Sequence, residues 1–192
     1  MTPFPEESTM NLHTPLRTLA ASALAAASLS ACSVFGPAPG PSARAIVSAT
    51  SVAAAAGMNP AGTVRFVQQG DGVRVSGRIS GLRAGQVHGF HVHEAADCSG
   101  DGMATKGHFN PGGVAHGQQG SHVHHAGDLV SLRANADGVA EFDFTAKGLS
   151  VASGPNSVVG RGLIIHRDPD DYKTQPTGNA GPRPGCAVIR AD

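Results

Sequence analysis

The stretch GFHVHE, residues 89–94, sets two imidazoles two positions apart in a segment otherwise suited to a strand. Strand side chains alternate, so His91 and His93 share a face, roughly 6.5 to 7 Å apart at Cα. That geometry can hold two edges of one metal ion, although an isolated HVH more often sits by chance on a solvated face. Downstream residues change the weight of the pair. GHFNP supplies His108, AHG supplies His116, and HHAGD supplies His125 with Asp128. Three imidazoles and a carboxylate close a tetrahedral site with no open position, which is the habit of structural zinc. His166, ending the apolar run LII, can complete a nitrogen-rich set around His91 and His93 of the kind copper prefers. Two such sites call for roughly eight ligand positions. His91, His93, His108, His116, His125, Asp128 and His166 are one fewer, so one residue has to be shared.

Short strands have to carry these ligands. Of 192 residues 40% are hydrophobic and only 4% aromatic, with 26 Gly and 13 Pro, a composition that favours short elements joined by turns. TVRFVQQ sets Val64 and Phe66 against Arg65, and VRVSGRI sets Val73 and Val75 against Arg74 and Ser76; QGDG between them reads as a hairpin turn. LVSLRANADGVAEFDF repeats the design, with NADG turning and Phe142 and Phe144 on the face opposite Glu141 and Asp143. RGLIIH and CAVIR add further strands, and no segment sustains a 3.6-residue period. The reading is all-β: an antiparallel Greek-key sandwich or barrel of about eight strands. Two long segments, Glu94 to Gly127 and Arg167 to Gly185, fit no strand. Loops of that length in a compact domain are usually functional. The formal net charge is zero, which gives no argument for a nucleic-acid partner.

The chain divides at its N-terminal end. Arg17 precedes LAASALAAASLS, long enough for a secretory apolar core and too short for a permanent span. Residues 1–31 therefore read as an export signal. Glu6 and Glu7 suit its start poorly, which leaves Met1 and Met10 equal candidates for the initiator. LSAC, residues 29–32, resembles the lipobox of bacterial lipoproteins, so Cys32 is the expected lipidation site and the only membrane attachment. Residues 32–60, from SVFGPAPGPSARA through an Ala-rich stretch, read as a flexible linker, and the domain is expected over 61–192. With one of three Cys assigned to lipid, Cys98 and Cys186 remain as a pair for an oxidising, periplasmic or envelope compartment; two free buried thiols are the alternative.

From about Gly62 to the end the sequence resembles copper/zinc superoxide dismutases of the bacterial exported type. GFHVH, GHFNP, the HG eight residues later, the H-x-x-D that follows, GRGLIIH and TGNAGPRPGC occur in order at closely matching intervals. The resemblance implies copper on His91, His93, His108 and His166, and zinc on His108, His116, His125 and Asp128, with His108 as a shared imidazolate. It assigns zinc to His125 rather than to His122 or His124, which are expected to be solvated loop residues. His88 matches a position that hydrogen-bonds backbone. Asp170 matches a carboxylate linking ligands of the two metals, although Asp168 and Asp171 lie close by. Arg183, three before Cys186, matches an arginine beside copper, where a guanidinium attracts and orients an anion without losing its charge.

The implied reaction converts two superoxide anions and two protons into oxygen and hydrogen peroxide, with His108 as a redox-linked general acid and Arg183 receiving the anion. From Cys32 onward Lys+Arg is 14 − 1 = 13 and Asp+Glu is 14 − 2 = 12, so attraction must come from the arrangement of charge. The rival reading is a non-catalytic copper/zinc-binding or metal-delivery lipoprotein. Labile Met-rich or Cys-rich ligands would favour it, and no such tract is present. A homodimer is compatible with the resemblance.

Overall fold

The computed structural model describes residues 40–192. The export signal, the lipobox and Cys32 lie outside the described residues. The strands are β1 (Ser42–Ala49), β2 (Ala61–Gln69), β3 (Gly72–Ser80), β4 (Val87–His88), β5 (Phe90–His93), β6 (Leu132–Arg133), β7 (Ala140–Lys147), β8 (Gly162–Ile165) and β9 (Gly185–Ala191). Seven form one antiparallel, curled sheet in the order β5-β8-β9-β1-β2-β3-β7, and β4 pairs with β6 separately. The only described helix is a 3-10 turn, Met103–Thr105. The all-β antiparallel expectation holds.

The long strands β1 to β3 follow from their alternation. In β2 the buried Val64 and Phe66 are separated by an exposed Arg65; in β3 Val73 and Val75 face inward around Arg74. These side chains meet Ile79, Phe90, Leu129, Leu132, Leu163, Ile165 and Ile189 in one core. Each fully buried large aliphatic or aromatic side chain contributes about 1.5–3 kcal/mol by leaving water. The QGDG turn closes β2 on β3 with Gln69 opposite Gly72, and NADG turns with Gly138 N–H donating to Asn135 O at 3.1 Å.

One boundary differs from the sequence reading. Residues 42–60 are not linker: β1 lies between β9 and β2 in the middle of the sheet. Its inward residues Ala43, Ala45 and Val47 alternate with outward Arg44, Ile46 and Ser48. The period of two was there, but its inward members are small, and alanine-rich composition resembles tether. Ala53, Ala56 and Met58 in the following turns are also buried.

Candidate metal centre

β5 carries the first pair of histidines. All four of its residues are buried because β8 covers one edge and loop segments cover the other. Val92 N–H donates to Gly127 O at 2.9 Å, and Phe109 N–H donates to Val92 O at 2.8 Å. Isolated bridges then set His91 opposite Asp128 and His93 opposite His108. Gly127 is required at this crossing, because a Cβ there would run into Val92 O and come within 2.9 Å of Phe109 N. Loop residues far apart in sequence thus become neighbours of the strand histidines.

Two groups result. One ligand atom from each of His91, His93, His108 and His166 lies within 4.8 Å of the others, and the same holds for His108, His116, His125 and Asp128. His108 belongs to both, and every member is buried. The expected ligands therefore converge, and sharing falls on His108. His88, also fully buried, belongs to neither; its Nδ1 donates to His166 O at 3.0 Å, so it braces the backbone of a member of the first group. His122 is exposed. His124 differs from the expectation of a solvated residue: it is half-buried, and its Nδ1 donates to His125 O at 2.7 Å.

Hydrogen bonds select which nitrogen of each ring stays free. His91 Nε2 donates to Asp170 Oδ2 at 2.7 Å and His116 Nε2 to Asp170 Oδ1 at 2.9 Å. His93 Nδ1 donates to Lys106 O at 2.9 Å, and His166 Nδ1 to Gly181 O at 3.1 Å. The opposite nitrogens, His91 Nδ1, His93 Nε2, His108 Nε2 and His166 Nε2, are buried without a protein partner, and His116 Nδ1 and His125 Nδ1 approach only the Asp128 carboxylate, without hydrogen-bond geometry. Unpartnered buried nitrogens are costly, and their convergence is what a metal cation satisfies. The donor sets, one all-imidazole and one with three imidazoles and a carboxylate, are compatible with copper and zinc.

Asp128 gathers the second group. Its Oδ1 lies 2.7 Å from His108 Nδ1 and 3.3 Å from His125 Nδ1, and its Oδ2 lies 3.0 Å from His116 Nδ1. Backbone N–H groups of His125 and Gly117 donate to Oδ2 at 2.8 and 3.1 Å. Burial opposes its charge, but these donors hold the carboxyl well below the ordinary range. Burial pushes His108 down to about 4, with His91 adding to the effect and Asp128 opposing it. Burial alone would also lower His116, yet Asp128 and Asp170 together lift it to about 9. His93 and His166 are held well below their ordinary value, first by burial and then by neighbouring imidazoles. Neutral rings are what metal ligation needs.

Arg183 closes one side. Its Nη1 donates to Gly102 O at 3.0 Å, Thr105 Oγ1 at 3.0 Å and Lys106 O at 2.8 Å. Nε and Nη2 have no hydrogen-bond partner among the described residues. Thr50, inside the expected linker, accounts for the neighbouring backbone: its Oγ1 donates to Arg183 O at 2.8 Å, and its N–H to Pro184 O at 2.9 Å. A Cys98–Cys186 disulfide, Cα–Cα 5.9 Å, ties the same loop to β9. It suits an oxidising compartment outside the cytoplasm.

Sequence reasoning missed Thr105, the Lys106 carbonyl and Gln175. Gln175 accepts His116 N–H at its Oε1 (2.8 Å) and donates from Nε2 to His116 O (3.0 Å). A Gln in a Pro/Gly-rich loop gives no sequence signal of such a contact.

The chain is similar to the clock protein EA4 as seen in its crystal structure, with 35% identity and a TM-score of 0.69, over 78% of this chain and 93% of that one. Residues 60–189 match the family model described as copper/zinc superoxide dismutase (SODC). That match runs through both ligand-bearing loops and the strands that seat them, and by it the chain belongs to the copper/zinc superoxide dismutase family.

Proposed function

We propose that this protein is an exported superoxide dismutase, with His91, His93, His108 and His166 holding copper and His108, His116, His125 and Asp128 holding zinc. The observation that carries the reading is the double membership of His108: Nε2 faces one group unpartnered while Nδ1 faces Asp128 in the other. An imidazole gives up both ring protons only between two cations. Bound copper supplies an alternating oxidation state, so that one superoxide gives up an electron and another takes it, while zinc supplies fixed charge without redox chemistry. The residues of the chain do the rest. Asp170 holds Nε2 protons on His91 and His116, which leaves each Nδ1 lone pair free for ligation. Arg183 attracts and orients the anion with its open edge, and remains charged throughout. His108 Nε2 is where a proton is held and given up to the departing peroxide, so His108 serves as general acid. Two superoxide anions and two protons leave as oxygen and hydrogen peroxide. In this reading the domain works in the periplasm or cell envelope, tethered through lipid on Cys32.

The test compares purified protein loaded with copper and zinc against protein loaded with zinc alone. Superoxide removal by the first should exceed that by the second by orders of magnitude. Equal rates would leave only the metal-holding reading.

A further inference from the structure

Among the described residues the Arg183 guanidinium hydrogen-bonds the loop through Nη1, whose two N–H bonds face three acceptors: Gly102 O, Thr105 Oγ1 and Lys106 O, at 3.0, 3.0 and 2.8 Å. Thr105 is fully buried. Its hydroxyl has one hydrogen, which goes to Gly102 O at 2.7 Å. Toward every other neighbour that oxygen can only accept. It faces the guanidinium on one side and, at 3.3 Å, His93 Nδ1 on the other. His93 Nδ1 in turn donates to Lys106 O, the carbonyl that also receives Arg183 Nη1. One hydroxyl therefore stands between the guanidinium and a ring of the first ligand group. Without it, Nη1 would keep two carbonyls lying on the same short segment, and the guanidinium could roll about them.

We propose that Thr105 is a positioning residue: its hydroxyl fixes the roll of the Arg183 guanidinium, so that Nε and Nη2 stay presented to an incoming anion, and registers that orientation against His93. The inference rests on the reading of Arg183 as the receiver of the anion. A purely packing role is the competitor, because the Thr105 methyl sits against Gly162, where an added Cβ would come 2.8 Å from Thr105 Cγ2. Two substitutions separate the roles. Thr105→Val keeps the methyl and shape and loses the oxygen; Thr105→Ser keeps the oxygen and loses the methyl.

Two readouts apply, neither of them turnover. The first is azide binding to the copper- and zinc-loaded protein, followed by visible absorption. The second is phenylglyoxal modification of Arg183 in metal-free protein, followed by peptide mass spectrometry with Arg65 and Arg190 as internal standards. Thr105→Val should weaken azide binding about tenfold and speed Arg183 modification by a comparable factor, near the low end of the loss expected for one hydrogen bond to a charged donor. Thr105→Ser should stay within about twofold of wild type in both. If valine proves too crowded for the protein to fold, Thr105→Ala removes the oxygen without adding bulk and replaces it. A valine variant that matches wild type, or a serine variant as impaired as the valine one, would overturn the proposal. Absence of azide binding in wild type would instead overturn the anion-receiving role beneath it, and the modification rates would show which of the two had failed.

Discussion

Gln175 and His116, 59 residues apart, exchange two hydrogen bonds in which the Gln amide takes the place of a neighbouring strand's backbone, at 2.8 and 3.0 Å. The contact holds, from the opposite loop, the main chain of a residue proposed to bind zinc. Gln175→Ala removes both bonds, each worth about 0.5–1.5 kcal/mol. Zinc affinity, measured by competition with a chromophoric chelator, should fall about tenfold, while Gln175→Glu, which keeps only the acceptor, should fall less. Unchanged affinity in the alanine variant would mean that Asp170 holds His116 unaided.

Gly178 lies at φ +65°, and a Cβ there would collide with Asp170 Oδ1 and come 2.6 Å from His116 Nε2. Gly178→Ala should therefore both strain the backbone and push the carboxylate off His116, costing the metal-loaded protein about 2 kcal/mol or more. Denaturant unfolding with a parallel metal assay checks this. A stable variant with full metal content would show that the loop can slide away without losing the bridge.

Lys106 adopts φ 64°, ψ −144°, a backbone region that costs a non-glycine residue about 1–3 kcal/mol. Its useful atom is the carbonyl, which receives both His93 and Arg183. Lys106→Gly relieves the strain and loses about 0.5–1 kcal/mol to chain entropy. A net gain of about 1 kcal/mol in the unfolding of metal-free protein is expected. A loss would mean that the lysine side chain itself stabilises the loop.

The pH dependence of metal-free protein has two limbs. His108, lowered from 6.5 to about 4, and His93 and His166, lowered in the same sense, favour the folded state while neutral. Their contribution is present above 6.5 and is lost as the pH falls toward 4. His116 is raised to about 9, so its contribution is present below 6.5 and is lost as the pH rises through 9. Melting temperatures should fall on both sides of neutrality, and His116→Gln should remove the alkaline limb alone. A flat acid limb would contradict the burial of the three lowered rings.

The two converging groups could be read from the sequence because few residue types bind such metals and because a strand fixes the face shared by His91 and His93. The sheet could be read wherever its inward residues were large, as in Val64 and Phe66 of β2. β1 was lost where inward residues shrank to Ala43 and Ala45, and with it went Thr50, which supports the backbone at Arg183. Thr105 and Gln175 were illegible for a different reason. They act across 78 and 59 residues through a hydroxyl and an amide whose partners are set by the folded loops.

Cys98 and Arg183 sit on one stitched rim. The segment from Cys98 to Lys106 is sewn to the chain around β9 at one end by sulfur and at the other by the three acceptors of a single guanidinium nitrogen. With the sulfurs unpaired, the guanidinium stitches would be what still joins this segment to the chain before β9. Completion of this rim belongs to surroundings where thiols oxidise, so a chain kept under reducing conditions would carry it half-fastened.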